Sequence, residues 1–94
     1  MNVSRAARSS RKDLTPIGRR LRDERVRLGL SQQALGIAAG LDANGAGVRI
    51  NQYEQGVHTP NFSFVKQLAR VIGVDPCFFY AEDERLAMMI RSFD

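Results

Sequence analysis

The chain has 94 residues, 44% of them hydrophobic, which is enough for one domain with a modest core. Its single cysteine excludes an internal disulfide and a cysteine-based zinc cluster, and no apolar run approaches the roughly 20 residues of a membrane span. No hydrophobic stretch follows the basic first residues, so we expect no secretory signal and a cytoplasmic protein.

The net charge of +4 is unevenly distributed along the chain. Residues 1–28 hold nine basic and three acidic side chains, residues 29–74 hold three and two, and residues 75–94 hold two and five. A basic front end and an acidic tail are typical of a protein that presents one side to a polyanion. Arginines that merely solvate an exposed helix would give the same distribution.

Three segments follow from the composition. Residues 1–13 mix serine with basic side chains and lack apolar periodicity, so we interpret them as a disordered basic arm. Residues 14–80 form the predicted domain, and residues 81–94 contain a C-terminal helix. The arginines of the arm are candidate contacts to a polyanion: Arg5, Arg8 and Arg11.

The first predicted helix begins with Thr15 as its cap and Pro16 as its first residue, and it ends at Gly29. One face of this helix carries Ile17, Leu21, Arg25 and Leu28. Ser31 caps a second, short helix. The inward-facing residues of the second helix are Leu35 and Ala38.

A third helix is placed by its angles of about 100° per residue. Its inner side carries Ala46, Gly47, Ile50, Tyr53 and Glu54. Its outer side and flanks carry Val48, Arg49, Asn51, Gln52 and Gln55. The outer side is therefore the one that a partner can contact.

The remaining chain is also predicted to be helical, and no strand pattern is visible, so the fold class is all-α. Asn61 caps a fourth helix that ends at Gly73. Its apolar stripe holds Phe64 or Val65 with Leu68, Ala69 and Ile72. Asp75 and Pro76 begin a short fifth helix with Phe78 and Phe79. We expect the neighbouring Cys77 to be buried.

A last helix is predicted from Glu82 to Arg91. It places Leu86, Met89 and Ile90 on one stripe. This stripe either folds back onto Phe78 and Phe79 or forms a contact between two copies of the chain. We favour the two-fold contact, because exposed apolar stripes usually mark an interface.

Two segments, LGLSQQALGIAAGL and VRINQYEQGVHTP, place two helices and a turn in succession. Their order S-Q-x-x-L, A-G-L and I-N-Q-Y-E-x-G resembles the phage-repressor-like family, the Cro and Xre-type helix-turn-helix regulators. The resemblance covers roughly residues 15–80. It implies a compact five-helix lambda-repressor-like domain with a short extra helix, double-stranded DNA as the partner and a homodimer.

The resemblance also implies roles for individual residues. Gln32, at the start of the second helix, matches a contact to the DNA backbone, where unpaired N–H groups suit a phosphate; capping the helix is the alternative role. Arg25 and Glu54 match an ion pair between the first and third helices. Gln52 matches a base-reading position. Further candidate DNA contacts, each with solvation or a loop hydrogen bond as the alternative, are Gln33, Val48, Arg49, Asn51 and His58.

The sequence departs from the family between Gly40 and Ile50, where it has about four additional residues, Asp42 to Gly45. Four residues equal about one helical turn, or 6 Å of axis. The third helix therefore begins one turn early, or a loop accommodates the residues, as the Asn44-Gly45 pair favours. Gly47 and Val48 then stand where the family often carries base-contacting polar residues.

We therefore predict a sequence-specific DNA-binding transcriptional regulator, with repressor as the preferred role, and not an enzyme. No paired-carboxylate motif, glycine-rich phosphate loop or ligand cluster is present in the sequence, so we expect no cofactor and no metal. An antitoxin or a restriction–modification controller would use the same fold. The rival from another class is a protein-interaction module with vestigial DNA binding.

Overall fold

The computed structural model describes residues 16–92 and consists, within that range, of six α-helices. The predicted all-α fold class is confirmed. The helices are α1 (Ile17–Leu28), α2 (Gln32–Ala38), α3 (Ala46–Glu54), α4 (Phe62–Ile72), α5 (Cys77–Tyr80) and α6 (Glu84–Ser92). The predicted arm and Thr15 lie outside the described residues. None of these six helices is long and apolar enough to cross a membrane.

Side-chain caps define where α2 and α4 begin, as the sequence predicts. Ser31 Oγ accepts a hydrogen bond from the Ala34 N–H at 2.9 Å, and Asn61 Oδ1 accepts one from the Phe64 N–H at 2.9 Å. Pro16 is the residue before α1 and not its first residue. Proline costs no hydrogen bond at either place, because the first N–H groups of a helix have no partner within it.

The core lies where α1 to α5 meet, and it is sealed by α6. Its most deeply buried apolar residues are Leu21, Leu35, Ile50, Val65, Leu68, Phe78, Phe79 and Ala87. Two residues predicted to face inward are exposed instead, Leu28 and Ala38, whereas Ala39 is buried. Both exposed residues are the last of their helices, where a periodic pattern fixes the direction of a side chain least well.

Charged side chains attach α6 to α1. Arg20 is only 2% exposed and donates to the carbonyl oxygens of Phe78 and Ala81 and to Glu84 Oε1, the last at 3.1 Å. Arg19 Nη1 donates to the other oxygen of Glu84 at 2.9 Å. A buried guanidinium with three acceptors avoids much of the cost of burying an unpaired charge.

A second ion pair lies toward the other end of α6. Glu24, also buried, accepts hydrogen bonds from Arg27 at 2.8 and 2.9 Å, and its second oxygen lies 3.6 Å from Arg91 Nε. Arg91 belongs to the last turn of α6, and Glu84 is its first residue. Helix α6 is therefore held against α1 near both of its ends.

The packing of α6 divides the predicted apolar stripe. Ala87 is fully buried and Ile90 is half-buried against the core, so part of the helix folds back onto the domain. Leu86 and Met89 are 48% and 66% exposed. The fold-back thus involves Ala87 and Ile90 and leaves the other two residues on the surface.

The expectation that Cys77 is buried is wrong, because its side chain is exposed. Cys77 is the first residue of α5, whose four residues can direct only Phe78 and Phe79 into the core. Its backbone N–H donates to Asp75 Oδ1 at 2.9 Å. The aromatic neighbours in the sequence therefore do not surround the thiol.

The contact of Glu84 with two arginines predicts a pH-dependent stability. Hydrogen bonds from Arg19 and Arg20 lower the pKa of Glu84 from its ordinary value. A carboxyl with a lowered folded-state pKa contributes stability above its unfolded pKa and loses that contribution as the pH falls through the folded pKa. Glu84→Gln should therefore lower the melting temperature at pH 7. The deficit should begin to shrink as the pH falls below the ordinary glutamate pKa of about 4.3, and it should vanish only below the lowered folded-state pKa.

Thermal unfolding at several pH values measures this deficit. Glu82→Gln is the matched control, because it makes the same change two residues earlier on a side chain without an ion pair to a described residue. A deficit in Glu84→Gln that stays constant down to acid pH would show that charge pairing is not what attaches α6.

Candidate nucleic-acid interface

Small residues let α3 pack closely against two other helices. A Cβ atom built on Gly36 of α2 would lie 2.9 Å from the Cβ of Ala46. One built on Gly18 of α1 would lie 2.7 Å from the carbonyl oxygens of both Tyr53 and Glu54. Any larger residue at either position would push α3 outward, so its distance from α1 and α2 is fixed by the backbone.

An ion pair joins α1 to the end of α3. Arg25 Nε donates to Glu54 Oε2 at 2.6 Å, and Arg25 Nη2 donates to Glu54 Oε1 at 3.2 Å. The Glu54 side chain is 1% exposed, and that of Arg25 is 14% exposed. Glu54 is the last residue of α3, where the helix dipole disfavours a negative charge. The guanidinium offsets both the burial and the dipole.

The side chain of Gln32 connects this ion pair to the surface of α3. Its Nε2 donates to Glu54 Oε1 at 3.0 Å and to Asn51 Oδ1 at 3.1 Å. A carboxylate can only accept hydrogen bonds, so the atom of Gln32 that faces it must be the nitrogen, and the Asn51 atom facing that nitrogen must be the oxygen. Asn51 is exposed, and its NH2 group is the part of the amide that does not bond to Gln32.

These two bonds occupy both hydrogens of the Gln32 amide, so its side chain has no donor left for a phosphate in this arrangement. A phosphate contact from Gln32 would have to come from its backbone N–H at the first position of α2. The alternative role as a cap is taken by Ser31.

The outer face of α3 carries the other candidates. Val48 is 64% exposed, and Arg49 is exposed beside it. Gln52 is half-buried in a hollow of about 430 Å³ at the C-terminal side of the helix. Three predicted candidates line this hollow: Arg49 and Gln52 from α3, and His58 from the following loop. Tyr53 and Thr59, which were not predicted as site residues, complete its lining.

The additional residues between α2 and α3 form a loop and not an extra helical turn. Gly45, with φ of +97°, immediately precedes α3, a left-handed conformation that glycine adopts without strain. Asp42 Oδ1 accepts a hydrogen bond from the Asn44 N–H at 2.8 Å, as in an Asx turn. The amide of Gln33 bonds to Ala43 within this loop and to Gly47 in the first turn of α3.

The arginines of α1 are largely engaged within the domain. Arg19, Arg20, Arg25 and Arg27 each form an ion pair with a glutamate. Arg22 is exposed and makes no ion pair with a described residue. The basic character of this part of the sequence therefore overstates the positive charge that α1 offers to a polyanion. The candidate arginines Arg5, Arg8 and Arg11 lie outside the described range.

Removing either partner of the Arg25–Glu54 pair should destabilise the fold by about 3–5 kcal/mol, because the remaining charge would be buried without its partner. Urea unfolding of Arg25→Ala, Glu54→Ala and the double variant measures the coupling energy between the two side chains. Arg22→Ala, on the exposed side of α1, should cost less than about 0.5 kcal/mol. Additive effects of the two single variants would contradict this account of the pair.

Comparison with known proteins agrees with this geometry. The family described as "Helix-turn-helix domain" matches residues 16–77, which extend from the residue before α1 to the first residue of α5. The crystal structure of transcriptional regulator BswR is similar at 38% sequence identity and a TM-score of 0.75, covering 83% of this chain and 80% of that chain. No curated protein matches the chain. The match includes about two thirds of the residues and contains α1, α2 and α3, the helices that the Glu54 contacts hold together. The chain therefore belongs to the helix-turn-helix domain family.

Proposed function

We propose that this protein is a sequence-specific DNA-binding transcriptional regulator of the Cro and Xre type, and that it represses transcription as a homodimer. The observation that carries the proposal is the outer face of α3, where exposed side chains stand on a helix fixed to both α1 and α2. A rigidly held helix of about 10–12 Å diameter fits the major groove of DNA, which is about 12 Å wide. The similarity to a transcriptional regulator supports the same role.

Each residue of this face suits a different feature of the groove. Gln52 offers both a donor and an acceptor, the combination that adenine requires. The NH2 group of Asn51 does not bond to Gln32 and so suits an acceptor, such as guanine O6 or N7 or a phosphate oxygen. Arg49 can reach guanine or a phosphate. Val48 can contact the methyl group of thymine.

Contacts to the DNA backbone would flank this face. We place His58 and Thr59, beside Arg49, against one phosphate. The backbone N–H of Gln32 would contact another, at the opposite side of the groove. The arginines of the arm, Arg5, Arg8 and Arg11, are proposed as further contacts, as in proteins whose basic arms reach around DNA.

Dimerisation is proposed through an apolar groove next to α6. The groove has a volume of about 510 Å³, and Phe62, Tyr80 and Leu86, which are all substantially exposed, lie along it with Ile90 and Pro76. Exposed apolar side chains so close together usually mark an interface. One α3 contacts only a few base pairs, so we propose that a second copy of the chain binds the second half-site of a pseudo-palindromic operator.

Selection of bound duplexes from a random pool tests the proposed sequence-specific DNA binding and identifies the preferred sequence. Gln52→Ala should then relax the preference at one operator position, costing about 1–3 kcal/mol for the preferred base. Gln67→Ala is the matched control, because Gln67 is an exposed glutamine that belongs to α4 and not to α3. A Gln52→Ala variant that ranks all operator variants as the wild type does would contradict the placement of α3 in the groove.

Sedimentation at concentrations of tens of micromolar, about the range for a weak dimer, tests the proposed interface. Leu86→Glu with Phe62→Glu should give a monomer, since both residues line the groove, both are exposed and a charge there opposes apolar contact. Val26→Glu is the control, an equally exposed apolar residue of α1 that does not line the groove. A monomeric wild type, or a double variant that dimerises undiminished, would exclude this interface.

A further inference from the structure

We propose that the side chain of Gln33, on α2, positions the first turn of α3 and does not contact DNA. The proposal rests on the proposed DNA binding for one of its two readouts, and the other readout needs no DNA. Gln33 adjoins Gln32, and both residues are candidate DNA contacts in the sequence analysis. Their side chains make different bonds.

Helix α3 begins without a capping side chain of its own. Gly45 is the residue before it, and the first N–H groups of any helix lack partners within that helix. An ordinary cap is a serine, threonine, asparagine or aspartate whose oxygen accepts from the N–H of the second or third helical residue. Here the oxygen comes from Gln33, whose Oε1 accepts from the Gly47 N–H at 2.8 Å. Gly47 is the second residue of α3, so Gln33 occupies the role of the cap.

The other end of the same amide fixes the loop. Gln33 Nε2 donates to the carbonyl oxygen of Ala43 at 2.8 Å. The orientation of the amide is not ambiguous, because a backbone N–H can only donate and a backbone carbonyl can only accept. One side chain therefore links the start of α2 to the loop and to the helix that follows the loop.

Residue 47 leaves just enough space for this arrangement. A Cβ atom built on Gly47 would lie 3.1 Å from Gln33 Oε1 and 3.5 Å from the Gln33 Cα and N atoms. The start of α3 thus lies close to the start of α2, and the amide fills the gap between them. The next residues, Val48 and Arg49, belong to the outer face of α3, so a shift of this turn would move them relative to a bound duplex.

Gln33→Met removes both hydrogen bonds at similar side-chain length and should fold, because the position is exposed. Amide hydrogen exchange of the free protein should show protection at Gly47 falling by about five- to tenfold, with amides of α1 and α4 unchanged. Gln33→Glu keeps an oxygen acceptor and should retain the protection at Gly47. Gln55→Met, the same change at the other end of α3, should leave that protection as in the wild type.

Binding measurements complete the test. Gln33→Met should weaken binding to the selected duplex by about five- to tenfold and leave binding to a random duplex and the salt dependence unchanged. An equal loss on both duplexes with a shallower salt dependence would make Gln33 a phosphate contact and overturn the proposal. Unchanged protection at Gly47 would overturn it as well. If the wild type itself prefers no sequence, the proposed function fails, and the exchange at Gly47 still decides the role of Gln33.

Discussion

The buried carboxylate of Glu54 is the constraint on which the arrangement of the first three helices depends. Because it ends α3 and is shielded from water, it needs donors from elsewhere, and it receives them from Arg25 of α1 and Gln32 of α2. The three helices therefore meet at one side chain. The same contacts reach the surface through Asn51, whose orientation is determined by the charge three residues further along the chain.

Much of the fold follows from local sequence signals. The caps Ser31 and Asn61 and the glycine after α4 predict the ends of helices, because each satisfies a local requirement of the backbone. The attachment of α6 to α1 was not predicted. Arg20 and Glu24 lie three and seven residues after Ile17, on the same face of α1 as its buried apolar residues. Charged residues are rarely buried without a partner, so their burial can be predicted only when the distant partner is known.

The site was predicted less completely, and the reason is the nature of its contacts. Helical periodicity alone separates the inner face of α3, with Ile50 and Glu54, from the outer face with Val48. The Arg25–Glu54 pair was expected from a family resemblance. Neither source predicts the bonds of Gln33, because they span an irregular loop whose path only the three-dimensional structure gives.

The two glycines at the crossings of α3 have a consequence for how it meets a partner. Where Gly18 and Gly36 lie, main chain packs on main chain or on a single methyl group, and no rotamer can change there. Larger side chains at these crossings could repack and let the helix settle in several positions. With glycine at both crossings the backbone of α3 has a single position against α1 and α2. Little backbone conformational entropy is therefore lost when a ligand contacts the outer face of α3, because that helix is already in place before binding.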